Sequence, residues 1–475
     1  MPTKPFLPSP LFHALLAVGF SLGGPLAQAA SPQVQVGLYH SVHVDEKGQL
    51  WKWGTTFHRC PAITTGQWVS GAGPERLVDK VSNAAASFTN TYAIREDGSL
   101  GYFYLSSENL FTPIEGTYRS VSGAFSHWAG VRTDGTIWSE GNNESGQLGN
   151  GTTTSSSGIA QASGSGYTQV SRGANHVLAL KQDGSAWAWG SNEKGELGLG
   201  TMPNPSSLPS SIPGRYAAVA AGDATSYLID TNGKLWAVGN NAEGYLGLGH
   251  KQAVITPTLI GSGYQAVYPG ATHTLALKAD GSLWAWGSNT AGQLGLGHTD
   301  AQLTPVKVGD GYVTAGVGNG VSVAVKSDGS VWAWGSNQCG ELGTASKNPK
   351  METSPVLVPI PQTAAVSPSG DAKDFSLSVL LPRWSQDTNQ PVKVYIAAFL
   401  PDGGILMREG KQWVPFRKPI PIAFDEPASY DSIKISVLEH MDVSQVPRGT
   451  RIAVGYGQTE QDMLNGKYQF VHTLR

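Results

Sequence analysis

The chain has 475 residues, a formal net charge of −3, 60 glycines, 14 tryptophans and only 14% charged residues. That length holds one large or two medium domains with real cores, and that composition suits an all-β protein with tight turns, not a helical bundle or a disordered chain. The balanced charge, with no acidic or basic block, excludes a surface that grips a nucleic-acid backbone by counterion release, so no nucleic-acid partner is expected.

Residues 1–29 read as a secretory signal peptide. Lys4 supplies the positive start, residues 11–22 the apolar stretch, and Ala27-Gln28-Ala29 the small residues before a cleavage point. The apolar run is short and broken by Gly23, Gly24 and Pro25, which disfavours an uncleaved anchor helix. No later segment approaches the ~20 apolar residues of a span. The expectation is an exported protein, periplasmic or extracellular, with no membrane span after signal cleavage.

Residues 30–361 are repetitive. The phrase HTLALKADGSLWAWGSNTAGQLGLG, starting at His273, recurs from His176 as HVLALKQDGSAWAWGSNEKGELGLG, with weaker copies from Ser226 and Val321. Turn glycines Gly48, Gly98, Gly135, Gly184, Gly233, Gly281 and Gly329, spaced by 50, 37, 49, 49, 48 and 48, mark seven units. Within a unit, Leu275 and Leu277, then Trp284 and Trp286, alternate with small or polar residues as strands do. Asp280-Gly281 is the hairpin turn between them, and Gly292, Gly295 and Gly297 suit a strongly bent loop. A second strand pair falls in segments such as 305–308 and 312–315. Four short antiparallel strands per ~48 residues make a propeller blade, and a closed ring of blades leaves no long open edge. The fold class expected is all-β: a seven-bladed β-propeller followed by a small β-sandwich-like domain.

The unit, written H-T/S-L-A-L-x-x-D-G-x-x-W-x-W-G-x-N-x-x-G-Q-L-G-x-G, resembles the regulator-of-chromosome-condensation repeat over about residues 34–361. Units 1 and 2 are degenerate; Gly101-Tyr102-Phe103-Tyr104 stands where Trp-x-Trp-Gly is expected. The resemblance, tilted towards an exported bacterial member by the leader and the C-terminal module, implies a propeller that binds by surface complementarity. Exported relatives include a bacterial β-lactamase inhibitor that works that way. It also implies closure by pairing an N-terminal strand into the last blade, with 33–36 and the strand around Val42 as candidates. Closure would bring unit 1 beside unit 7, and Cys60 and Cys339 both come after a Trp-x-Trp-Gly strand. A ring-fastening disulfide is the expectation, with a pair of buried free thiols as the alternative.

Four histidines, His40, His127, His176 and His273, stand eight residues before turn glycines, which invites a metal reading. Asn90, Thr225 and Val321 hold that place in the other units, so a repeat-determined hydrogen bond is preferred and no metal is expected. Asp97, Asp134, Asp183, Asp280 and Asp328 read as turn formers. Trp187, Trp189, Trp284, Trp286, Trp332 and Trp334 read as core between blades ahead of a sugar-stacking ladder. No nucleophile elbow, zinc-protease helix or phosphate-binding loop occurs, so no catalytic residue, no cofactor and no enzyme are expected. Candidate partner contacts lie where the repeat rule breaks: Phe57, His58, Arg59 and Trp68 in unit 1, and Tyr104, Phe111 and Trp128 around unit 2. The competing reading is that end repeats are atypical simply because they close the array.

Residues 362–372 form a linker rich in Pro, Ser, Ala and Gly, and 373–475 a second domain with strands near 375–381, 392–400, 432–438 and 451–456. Its Trp384 and Trp413 are core or a ligand platform. Three functions are open, in order of preference: a non-enzymatic exported protein that captures another protein; a cell-surface carbohydrate-binding or adhesive protein using the C-terminal domain, with a glycan partner; and a polysaccharide-active enzyme.

Overall fold

The computed structural model of the chain describes residues 32–360 apart from 38–39, 55–73, 88–89, 105–110, 124–126, 201–203, 339, 344–350 and 359; of residues 361–475 it describes the strand backbone alone. Two compact units are present, residues 1–360 and 361–475. Regular structure among the described residues is entirely β, and no helix is long and apolar enough to cross a membrane.

The first unit is a β-propeller. Five four-stranded antiparallel sheets cover residues 33–78, 167–212, 216–261, 264–309 and 312–357, and a seven-stranded sheet covers 81–161. The sheet at 264–309 shows how the repeat writes its own pairing. His273 opens one strand opposite Gly287, and Leu277 stands opposite Leu283 across the Asp280-Gly281 turn. Gly287 has φ +102, and a Cβ there would lie 2.7 Å from Thr272 O, so only glycine fits beneath the histidine strand. The loop after that strand is stapled by Asn289. Its Oδ1 accepts Leu294 N at 2.9 Å and its Nδ2 donates to His298 O and Asp300 O at 2.8 and 3.1 Å.

Both faces of each central strand are buried, because each sheet is sandwiched between neighbours. Leu275, Leu277, Leu283 and Ala285 pack against Tyr312, Ala315, Ala324 and Trp334 of the next sheet, while Trp286 turns the other way onto Tyr227, Ile229 and Leu246. The same arrangement closes the ring, where Trp53 and Val34 of the first sheet pack with Val321, Val323 and Val325 of the last.

Two features depart from the repeat. Strand Phe111–Gly123 serves two partners: its first half pairs with Ser99–Tyr104 and its second with His127–Arg132, which merges the hairpins on either side of it into one seven-stranded sheet. The cause is the 37-residue spacing, which leaves no loop between the halves; Gly116, at φ +109, lies just before the changeover. The second departure corrects an expectation. Strand Gln33–Val36 pairs with His40–Val44 inside the first sheet, not with the last blade. A connection this short, with Gly37 N donating to His40 O at 2.8 Å, turns the chain straight back on itself. The seam between first and last sheets is therefore made by side chains.

The second unit contains a three-stranded sheet of Ala365–Ser369, Phe375–Pro382 and Ser432–Met441, and a larger sheet built around Val392–Phe399 and Arg451–Gly457. The first of these strands corrects the expected linker at 362–372: it pairs residue for residue with Phe375–Pro382 and is part of the domain's own sheet.

Candidate functional site

The repeat's polar residues are spent on holding the sheets together. His176 Nε2 lies 2.9 Å from Ser226 Oγ, and that hydroxyl donates to Glu196 O at 2.6 Å. His273 Nε2 lies 2.7 Å from Ser322 Oγ, which donates to Gln293 O at 2.7 Å. With the hydroxyl hydrogen committed to a carbonyl, the imidazole must be the donor, so Nε2 carries a proton, and Nδ1, buried with no partner among the described residues, is the bare nitrogen of a neutral ring. His40 Nε2 meets Thr91 Oγ1 at 3.1 Å in the same way. In each case the histidine reaches the hydroxyl of the next sheet. Burial drives the imidazole pKa down to about 3 for His40, with Lys52 adding to the effect. It reaches about 3 for His273 and about 4 for His176, where Glu196 opposes burial and Arg172 reinforces it. The side chain of His127 lies outside the described residues. Among those described, no group of three or more His, Cys, Asp or Glu side chains is placed to hold a metal ion.

The turn aspartates behave as the sequence indicates. Asp183 Oδ1 accepts Ser185 N at 2.9 Å and Ser185 Oγ at 2.6 Å, and these bonds pull its pKa to about 2. Asp97, Asp134, Asp280 and Asp328 make the equivalent pair of bonds. The tryptophans divide by position. Trp189, Trp286 and Trp334 are buried and donate Nε1 to carbonyls of the preceding sheet's loop, Gln147 O, Tyr245 O and Gln293 O, at 3.1, 2.8 and 2.9 Å. Trp187, Trp284 and Trp332 are half-buried and carry Lys181, Lys278 and Lys326 on a ring face, 4.3, 4.2 and 4.6 Å from the centroid. One set is core and the other already holds a cation.

The irregular region is only partly placed. Phe57, His58, Arg59 and Trp68 lie outside the described residues, as do Cys60, Cys339 and Trp384. Tyr104 ends its strand opposite Asn90, its side chain not described; Trp413 lies on strand Gln412–Pro415. Phe111 is half-buried against Phe103, 5.3 Å between centroids, with Arg95 4.1 Å above its ring. Trp128 is 3% exposed, its ring 6.0 Å from those of Tyr92 and Tyr118 and its Nε1 3.3 Å from Glu140 Oε2. It fills core where the other units carry Ser, Thr or Val, so its face is turned inward.

A different group of residues forms a cavity. The innermost strands end at Val36, Ala86, Gly123, Arg172, Ala221, Pro269 and Val317, and these ends line an opening of about 140 Å³ at the propeller axis. Arg172 is the one charged strand end. It is 5% exposed; Nη1 donates to Trp128 O at 3.0 Å, while Nε and Nη2 are buried with no partner among the described residues. Burial pulls its pKa well below the usual guanidinium value, an effect that Tyr92 opposes. Asp223 lines the same cavity with its side chain exposed, its pKa raised by partial burial and by Glu196. Sequence reasoning passed over Arg172. Aligning the units on their turn glycines shows the signal, since the column before Gly37, Gly173, Gly222, Gly270 and Gly318 reads Val, Arg, Ala, Pro and Val.

A family model described as an RCC1-like domain matches residues 104–373. No curated protein sequence matches the chain. Among solved structures, human WBSCR16 is similar with a TM-score of 0.55 and 20% identity, covering 66% of this chain and 93% of its own. Prp20p from Saccharomyces cerevisiae, described together with its binding to Gsp1p and histones, aligns with a TM-score of 0.49 and 18% identity, over 70% of this chain and 78% of its own.

Proposed function

This chain belongs to the RCC1-like domain family, and on that footing we propose that it is a non-enzymatic exported binding protein whose propeller face and irregular loops capture another protein. The observation that carries this reading is the fate of the repeat's reactive residues. His40, His176 and His273 bond the next sheet, the aspartates form turns, and the inner tryptophans are core. Recognition is left to the surface, above all where units 1 and 2 break the repeat.

Export rests on the leader in residues 1–29 and places the mature protein in the periplasm or outside the cell. We count seven blades by taking the seven-stranded sheet as two that share Phe111–Gly123; the hydrophobic cluster joining Tyr92, Ile94 and Leu100 to Tyr118, Val121 and Trp128 supports the division. The two sheets built from strands between residues 365 and 473 are taken as a sandwich-like domain.

The seam gives a reason for a Cys60–Cys339 disulfide. Trp53 Nε1, at the place where Trp189, Trp286 and Trp334 donate to a carbonyl, is buried without a partner among the described residues, so this junction lacks the bond those three make. A disulfide across so long a loop adds about 3 kcal/mol. Thiol titration of the unfolded, unreduced protein should find no free thiol; two would refute the pairing.

Protein capture is tested by immobilising residues 30–475, and separately 30–361, and exposing each to envelope and culture-supernatant fractions of the source organism. One protein retained in stoichiometric amount by both supports the reading. Retention of glycans by the longer chain alone, with no protein on either, would replace it with a carbohydrate-binding role for the C-terminal domain.

A further inference from the structure

We propose that Tyr216, Trp236 and Asp230 form a surface site for a lysine side chain of a partner protein. The chain displays such an occupant in four other places. In those units a cation on the second strand stands opposite a tyrosine on the first: Arg132 opposite Tyr118, Lys181 opposite Tyr167, Lys278 opposite Tyr264 and Lys326 opposite Tyr312. Each also reaches the half-buried tryptophan of the third strand, so the charge lies over two rings; Lys181 Nζ is 4.8 and 4.3 Å from the centroids of Tyr167 and Trp187. The sheet at 216–261 keeps both rings and lacks the cation. Asp230 stands opposite Tyr216, two residues beyond Leu228, which faces Trp236, so all three project from one side of the sheet.

The carboxylate is placed to receive a cation. Asp230 Oδ1 is occupied by the backbone N–H groups of Asn232 and Lys234 at 2.8 and 3.0 Å, while Oδ2 has only a long contact with Trp236 Nε1 at 3.4 Å. Burial raises its pKa, but these bonds outweigh that and hold it below the ordinary carboxylate value, so it is ionised at neutral pH. Among the described residues Asp230 forms no ion pair, and no cation lies over Tyr216 or Trp236. Arg215 pairs with Asp183 of the preceding sheet, and the Lys234 side chain is exposed. Asp230 and Trp236 are partly exposed, and Tyr216, at 7%, is more exposed than any of its four counterparts, the highest of which is Tyr264 at 5%. The first sheet shows what a turn aspartate alone looks like. Asp45 caps the same turn through Lys47 N and Gln49 N, but Trp51 is buried and Pro32 stands where the tyrosine would be, so no pair of rings is offered. An ammonium entering between Tyr216 and Trp236 meets two aromatic groups and an underused carboxylate oxygen, and its stem lies along the rings as the chain's own lysine stems do.

The site rests on the reading of the propeller as a protein-binding surface, and its test needs no partner, so its failure would leave that reading standing. The full chain, isotope-labelled at tryptophan nitrogen, is titrated with N-acetyl-lysine amide, with the uncharged norleucine analogue and with free lysine. The Trp236 indole N–H is followed by NMR and assigned by its loss in Trp236→Phe. The lysine amide should shift that signal saturably with a Kd of about 1–10 mM. The norleucine analogue should not, and free lysine should bind no tighter than the blocked form. Asp230→Asn, which retains an acceptor for the turn amides, should weaken binding about tenfold or more. Asp230→Lys gives the sheet the resident lysine of its neighbours, with Asn232 standing where Asp183 makes the turn in its own unit, and should abolish binding. The proposal is overturned if the Trp236 signal does not move, if the norleucine analogue moves it equally, or if either Asp230 variant, once folded, binds as the parent does. Free lysine binding the tighter would also overturn it, by giving the site to the free amino acid.

Discussion

Acidification from pH 7 to pH 5 is expected to remove about 6 kcal/mol of stability, roughly 2 kcal/mol for each of three buried histidines. The folded-state pKa values of His40, His176 and His273 lie at about 3, 4 and 3, below the ordinary 6.5, chiefly through burial. Above pH 6.5 both folded and unfolded chains hold these rings neutral, so their contribution is intact. As the pH falls through 6.5 the unfolded chain takes up protons that the folded chain refuses, and stability drains away until the folded values near 4 and 3 are reached. The folded form cannot adapt, because Nε2 is already donating to a hydroxyl and Nδ1 sits buried without a partner. Since domain stabilities run to about 5–15 kcal/mol, this loss decides whether the propeller stays folded in a mildly acidic medium. Urea unfolding at pH 7, 6 and 5 reads it directly, with a slope approaching three protons from these rings and a further contribution from His43, whose pKa burial also lowers. His273→Asn should lower stability at pH 7 and reduce the slope by one proton. A stability that does not change between pH 7 and pH 5 would refute the assignment of neutral, sequestered rings.

The second large effect is at the inner tryptophans. Trp286→Ala should cost about 3–5 kcal/mol, since it empties a site buried between two sheets. Trp286→Phe, which keeps most of the packing and loses the Nε1 bond to Tyr245 O at 2.8 Å while the Tyr227 hydroxyl still donates to that carbonyl, should cost about 1 kcal/mol. Trp284→Ala, two residues earlier on the same strand, loses only a half-buried ring and its lysine contact and should cost about 1 kcal/mol. Gly295 ties the same logic to its loop. It has φ +71, and a Cβ there would lie 2.7 Å from Trp334 Nε1, so the Gly-x-Leu-Gly element and the second tryptophan of the next unit are two halves of one contact. Denaturant midpoints for the three variants give the ranking; equal costs at Trp284 and Trp286 would contradict the division into rim and core. At the seam the sign of a smaller difference is also fixed. Trp53→Phe should be tolerated better than Trp286→Phe, because Trp53 Nε1 has no bond to lose among the described residues.

Much of this is legible in the residues. Alternation around Leu275, Leu277, Trp284 and Trp286 places the central strands, and the Asp-Gly pairs place their turns, because these depend on local chemistry that each unit repeats. The reading of the histidines as repeat-determined hydrogen bonds rests on the units that do without them. The features that escape the sequence are those that depend on neighbours. The merging of the second sheet comes from a missing loop whose effect appears only once both flanking hairpins are in place. The inward turn of Trp128 comes from a pocket made by Tyr92 and Tyr118, residues of other strands. Arg172 is hidden for the opposite reason. It occupies a position so ordinary in the repeat that its charge draws attention only when all the strand ends are seen to meet.

The pairing of Gln33–Val36 within its own sheet also bears on how the chain reaches its native state. Among the described residues every backbone ladder in the propeller joins segments close in sequence, so each sheet can form as soon as its own stretch of chain is available. Only the meeting of Val34 and Trp53 with Val321, Val323 and Val325 spans the whole array, and it must close a loop of nearly three hundred residues. No strand has to be threaded into a waiting sheet, so the final step is a docking of two finished surfaces. A chain made N-terminus first can therefore assemble in order, and its slowest event comes last, when the final sheet finds the first.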